Sequence, residues 1–127
     1  MKRTLVSVVL VCLAFSLGAC GDDETVLLLK PLDPPAVTIP KGSFAEVKVI
    51  LSTVVRLDTS VKIVNASDFS QYLSFDTTDI SFTAYDDPPH KFVKIIGEEL
   101  TGAQTLVLRF VLQENESTRE MTVKVVK

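Results

Sequence analysis

The chain contains one histidine, His90, in the run Asp86-Asp87-Pro88-Pro89-His90, and two cysteines, Cys12 and Cys20. Nucleophilic catalysis needs a Ser or Cys beside a base, usually His, with a third group orienting that base. A lone histidine next to two prolines reads instead as a solvated loop residue. Zinc draws on several His or Cys ligands, and that supply is missing. Carboxylates do lie close together: Asp86 with Asp87, Glu98 with Glu99, and Asp76 with Asp79. Calcium accepts such oxygens from loops, but these spacings match no calcium-loop pattern, and acids in turns are ordinarily exposed without a ligand. A glycosidase needs two carboxylates across a cleft, which a small β domain seldom provides. The five glycines are scattered, so no phosphate-cradling loop is formed. No catalytic residue, metal site or cofactor is expected. Exposed aromatics are the usual contact residues of a binding surface. Tyr72, Tyr85 and Phe92, near predicted strand ends or loops, are the candidates. The alternative is that they pack at the ends of the domain.

The elements that must position these residues are short and alternate with period two. From Phe44 to Ser52, Ala45, Val47, Val49 and Leu51 share one face, with Phe44, Glu46, Lys48 and Ile50 on the other. Lys and Glu would interrupt the apolar stripe of a helix here, so the segment is a strand. Val61 to Asn65 and Phe92 to Ile96 repeat the pattern, and Leu73-Ser74-Phe75 and Ile80-Ser81-Phe82 flank a polar link. Gln104 to Leu112 alternates most cleanly, with Leu106, Leu108, Phe110 and Leu112 facing one way, and Met121, Val123 and Val125 line a final strand. Ser67 to Tyr72 fits one helical turn, with Ser67 or Asp68 as a cap. Val26 to Leu29 is apolar enough for a first strand, and Pro31, Pro34 and Pro35 turn the next stretch into a kinked edge. About seven to eight short strands without a long helix describe an all-β, antiparallel β-sandwich.

Met1-Lys2-Arg3 followed by the apolar run Leu5 to Leu17 has the form of a cleavable signal peptide. A helix of that length reaches roughly 20 Å, short of the ~30 Å hydrocarbon core. Leu17-Gly18-Ala19-Cys20 resembles the bacterial lipobox. The resemblance implies that Cys20 is acylated, becomes the mature N-terminus and partners the membrane through its acyl chains. Gly21-Asp22-Asp23-Glu24 resembles the export signal of surface lipoproteins of the Bacteroidetes; equally, it reads as a solvated tether. Asp76-Thr77-Thr78 resembles an O-glycosylation acceptor of the same group, which makes Thr77 a candidate modification site. Asn65-Ala66-Ser67 and Asn115-Glu116-Ser117 are eukaryotic-type sequons, without expected consequence in a bacterium.

From Val37 onward, Thr38-Ile39-Pro40-Lys41-Gly42 and Phe44 to Ser52 resemble the opening of Calx-β-like and related immunoglobulin-like modules. Leu73-Ser74-Phe75 and Ile80-Ser81-Phe82 resemble the later paired strands of those modules. The resemblance implies an immunoglobulin-like sandwich used as a spacer, adhesin segment or binding module. The Glu-Gly and Asp-Tyr signatures of Calx-β domains are missing, so no calcium ligands carry over. The expected organisation is a signal peptide over 1–19, a lipidated tether and Pro-rich edge segment over 20–36, and the sandwich over 37–127. All 16 acidic residues follow Cys20, against 11 basic ones once Lys2 and Arg3 are removed, so the mature chain carries about −5. That balance argues against a nucleic-acid partner, which requires clustered Lys and Arg. The expected function is a non-enzymatic cell-envelope lipoprotein of the outer membrane, exposed at the cell surface and binding a glycan or protein partner. The alternative is a structural or accessory subunit of an envelope complex, docking by an edge strand.

Overall fold

The computed structural model describes residues 26–86 and 88–127. The expected signal peptide, the lipobox-like run Leu17-Gly18-Ala19-Cys20, Cys12, the acidic cluster from Gly21 to Glu24 and Asp87 lie outside the described residues. Among those residues the chain forms eight strands and one short 3-10 turn. The strands are β1 (Ala36–Pro40), β2 (Phe44–Ile50), β3 (Thr59–Ile63), β4 (Leu73–Phe75), β5 (Asp79–Phe82), β6 (His90–Gly97), β7 (Leu106–Leu112) and β8 (Thr118–Val126). The turn is Ala66–Phe69. A five-stranded sheet has the order β1-β8-β7-β3-β5, and a three-stranded sheet the order β2-β6-β4.

The period-two pattern is what makes two layers out of these strands. Val47 and Val49 of β2, Val93 and Ile95 of β6, and Leu106, Leu108, Phe110 and Leu112 of β7 are all buried. Met121, Val123 and Val125 of β8 join them in the same core. Each such side chain contributes roughly 1.5–3 kcal/mol by leaving water. The layers approach closely at Gly97. A Cβ there would stand 3.0 Å from Val125 Cγ1 and 3.2 Å from Ile39 Cγ2, both on the opposing sheet.

Several expectations are corrected by the pairing. The sheets are not purely antiparallel, because β1 runs parallel to β8, with Ala36 opposite Thr122 and Pro40 opposite Val126. The reason is in the chain just before it. That segment first bridges β2 in antiparallel fashion, Leu29 to Leu51 and Asp33 to Lys48. It then crosses to the other sheet past Pro34 and Pro35 without reversing, so it meets β8 with the same heading. The expected first strand from Val26 to Leu29 is reduced to that bridge at Leu29. Its apolar residues still enter the core, with Leu27, Leu29 and Leu32 all buried. The two short strands around the 76–79 link do not pair with each other. β4 pairs with β6 and β5 with β3. The link passes between layers: the Asp76 N–H donates to the Lys94 carbonyl at 3.2 Å, and the Ile63 N–H to the Thr78 carbonyl at 2.9 Å.

Neither Ser67 nor Asp68 caps the short turn. Asn65 occupies the cap position and makes no side-chain cap bond. Its amide is engaged elsewhere: Nδ2 donates to the Val107 carbonyl at 2.8 Å and Oδ1 accepts from the Arg109 N–H at 3.0 Å. The side chain thus extends the β3–β7 ladder past the end of β3. At the other side of the sheet Thr101 does similar work. Its Oγ1 accepts from the Val125 N–H at 3.1 Å, in a site where Thr101 is only 7% exposed.

Replacing Gly97 with Ala is expected to lower stability by about 1–3 kcal/mol, because the added carbon overpacks the contact between layers. Phe110→Ala is expected to cost about 3–5 kcal/mol through an internal cavity. Urea unfolding monitored by circular dichroism checks both.

Candidate functional site

In β2 and β6 the odd-numbered residues Val47, Val49, Val93 and Ile95 are turned into the core, so the even-numbered ones line the outer surface of the three-stranded sheet. The register pairs Phe44 with Ile96, Glu46 with Lys94, Lys48 with Phe92, and Ile50 with His90. β4 adds Ser74 opposite Ile96. Phe44 and Phe92 are each 53% exposed. Four residues of register separate them along the strands, or about 13 Å at the usual rise.

The two rings are held by their neighbours. The Lys94 Nζ lies 4.4 Å from the centroid of Phe44, and the Lys48 Nζ 5.9 Å from that of Phe92. Cation–π contacts at exposed positions contribute roughly 0.5–1 kcal/mol each. The His90 ring meets Phe92 edge to face, with centroids 5.8 Å apart and planes at 83°. Two apolar rings thus stand on one sheet face among two ammonium groups, the Glu46 carboxylate and an imidazole. Such a surface can stack on an apolar or sugar face while polar groups bond the rim.

The three aromatics singled out from sequence do not come together. Phe92 lies in this patch. Tyr72 follows the 3-10 turn and packs against the core. Its carbonyl accepts the Glu98 N–H at 2.7 Å, which places it where β6 ends. Tyr85 is 70% exposed in the loop before β6, at the opposite end. It holds a positive φ of 66° while its N–H donates to the Val55 carbonyl at 2.8 Å. Phe44, the partner of Phe92 in the patch, was not among those candidates. The alternation had already put Phe44 on the outer face with Lys48. What the sequence lacks is the register that sets β6 beside β2.

Several of the acids engage the backbone or a neighbouring side chain. Asp76 Oδ1 accepts the Lys94 N–H at 2.9 Å, and Asp86 Oδ2 accepts the Thr83 N–H at 2.8 Å and faces the Lys91 Nζ at 3.6 Å. Glu98 Oε2 accepts from the Ser74 hydroxyl at 2.6 Å. Among the described residues no three His, Cys, Asp or Glu side chains converge as a metal site. Thr77 lies in the link between β4 and β5. Its Oγ1 donates to the Asp79 carbonyl at 3.0 Å and accepts the Asp79 N–H at 3.1 Å, so a modified Thr77 would give up the donated bond. A cleft of about 280 Å³, lined by Leu27, Val54, Arg56 and Glu114 among others, opens at the end of the molecule where the described chain begins.

No protein-family model matches the chain, and a search of curated proteins finds no match to it. Among the described residues no helix is long and apolar enough to cross a membrane.

Because Phe44 and Phe92 point away from the core, Phe44→Thr and Phe92→Thr are expected to cost only about 1 kcal/mol each, the scale of a β-propensity change plus one cation–π contact. Thermal unfolding checks this: a shift of many degrees in either variant would mean that the ring is part of the core.

Proposed function

We propose that the chain is the precursor of a lipid-anchored bacterial envelope protein. In this proposal its immunoglobulin-like sandwich is a non-enzymatic, glycan-binding module, and the outer face of the three-stranded sheet is the binding surface. The observation that carries the binding role is the pair Phe44 and Phe92, half-exposed on one sheet face and interleaved with Lys48, Lys94, Glu46 and His90. Sugars present apolar C–H faces and hydroxyl rims, which suit rings flanked by charged groups. The edges favour this reading over docking by strand addition. β8 is interior; β1 is bounded by Pro35 and Pro40; β4 and β5 have three and four residues; and β2, the fourth edge, is covered along its end by the 29–33 segment. Short or proline-flanked edges discourage pairing with another chain.

The immunoglobulin-like assignment draws support from the order of the strands. With the 29–33 segment taken as the first strand, the three-stranded layer becomes that segment, β2, β6 and β4, and β3, β7 and β8 are neighbours in the other layer. That corresponds to the ABED and CFG sheets of an immunoglobulin domain in chain order. β5 departs from the scheme as an added strand beside β3, between the D and E equivalents. The hallmark Trp is absent too, since the chain has none. The anchor is supported by the lipobox-like Leu17-Gly18-Ala19-Cys20 and by the short run from Cys20 to the first buried residue, Leu27.

Binding is tested by presenting the purified mature chain to a glycan array beside the Phe44→Thr/Phe92→Thr double variant. The expected result is retention on a subset of glycans by the wild type, and at least roughly tenfold weaker retention by the variant, about 1.4 kcal/mol. Equal retention would remove the face from the site, and no retention at all would remove the glycan. For the anchor, Cys20→Ala is expected to release the protein from the membrane fraction. Protease shaving of intact cells is expected to digest the wild-type domain. Survival until the envelope is opened would place the domain inside.

A further inference from the structure

The strands divide the molecule into two ends of different chemistry. At one end β2, β5 and β7 finish and β3, β6 and β8 begin, as the pairs Ile50–His90, Thr59–Phe82 and Val111–Thr118 show. The loops there span 51–58, 83–89 and 113–117. The described chain also begins there, since Leu29 bridges Leu51. This end carries the two most exposed large apolar side chains among the described residues, Leu57 at 76% and Tyr85 at 70%, together with Val26 at 50% and Leu28 at 47%. The far end carries the Lys41–Glu99 ion pair at 3.5 Å and the less exposed Leu100 at 40%, and this end has an ion pair of its own in Lys91–Asp86 at 3.6 Å.

These side chains stand on a braced platform. The Tyr85 N–H donates to the Val55 carbonyl at 2.8 Å, and the Ala84 N–H to Asp58 Oδ1 at 2.8 Å, which ties the 83–89 loop to the 51–58 loop. The start of the described chain is clamped to the 51–58 loop, the 113–117 loop and the first residues of β8. Ser52 Oγ accepts the Leu28 N–H at 2.8 Å, Ser117 Oγ accepts the Leu29 N–H at 3.0 Å, and Arg119 Nε donates to the Leu29 carbonyl at 2.9 Å. A chain spans at most about 3.3–3.6 Å per residue, so Cys20 lies within roughly 20 Å of Val26 by that measure.

We infer that this end of the molecule rests on the phospholipid surface that holds its own anchor, with Leu57 and Tyr85 as the side chains that enter the interface. The inference depends on the acylation of Cys20. An anchor within roughly 20 Å keeps the loops at high local concentration against the lipid, where an aliphatic and an amphipathic aromatic side chain are both favoured. The charges at this end are of both signs: Asp58, Asp86, Glu114 and Glu116 are matched by Lys30, Arg56, Lys91 and Arg119. The exposed apolar side chains therefore carry the contact, which a zwitterionic surface accepts.

The chain has no tryptophan, so single replacements report their own surroundings. The acylated full-length product carrying Leu57→Trp, Tyr85→Trp or, as the far-end control, Leu100→Trp is reconstituted into dioleoylphosphatidylcholine vesicles with and without brominated lipid. The expected result is loss of most of the emission for Leu57→Trp and Tyr85→Trp, with Leu100→Trp unchanged. Equal quenching of all three, or of none, overturns the orientation while vesicle retention and the acyl mass on Cys20 still uphold the anchor. Loss of retention in all three, with an unmodified Cys20, overturns the anchor and the orientation with it.

Discussion

The fold depends on the contact between two unequal layers. Residues 26–127 include no cysteine, so the five-stranded and three-stranded sheets are joined by interdigitated side chains and by chain segments that pass between them. This is why the alternation is kept so strictly in β2, β6, β7 and β8. A one-residue slip in any of them would turn Val, Leu and Phe outward and bring Lys or Arg into the core. It also explains Gly97. Where β6 passes beneath Val125 and Ile39, even a methyl group would crowd the opposing sheet. The outer surfaces are free of that constraint, and there the exposed rings of Phe44 and Phe92 stand beside ammonium groups.

How much of this could be read from the residues varies by element. The faces were legible wherever one side of a strand is buried, as in Leu106 to Leu112, because period-two burial writes itself directly into residue type. The pairing was not. Leu73-Ser74-Phe75 and Ile80-Ser81-Phe82 look like the two arms of a hairpin, but alternation says which side of a strand is inward and not which neighbour it takes. Their assignment to different sheets depends on backbone bonds at Asp76 and Thr78. The parallel β1–β8 pair was hidden for a related reason: prolines mark a break in pairing without stating where pairing resumes.

Single polar side chains that complete the sheets escaped as well. Asn65 reads as a turn residue or a sequon, and Thr101 as an ordinary loop threonine. Both act as substitutes for backbone, filling ladder positions where the neighbouring strand has ended. Residue type carries no trace of this, because the bonded partners are more than twenty positions away. The face that carries Phe44 and Phe92 was half legible for the same cause. Phe44 and Phe92 each read as outward-facing, while their presence on one surface depends on a register between strands some forty residues apart.

The clamp on the start of the described chain has a mechanical consequence. From Leu29 to Asp33 the segment lies along β2, and beyond the crossing it lies along β8, in both cases nearly parallel to the strand axes. A pull applied at Val26 therefore acts lengthwise on the bonds to both sheets and loads them together. The opposite arrangement, a pull across the strands, would open the bonds one after another at low force. A domain built this way resists traction applied at Val26 best along its strand axes and least across them.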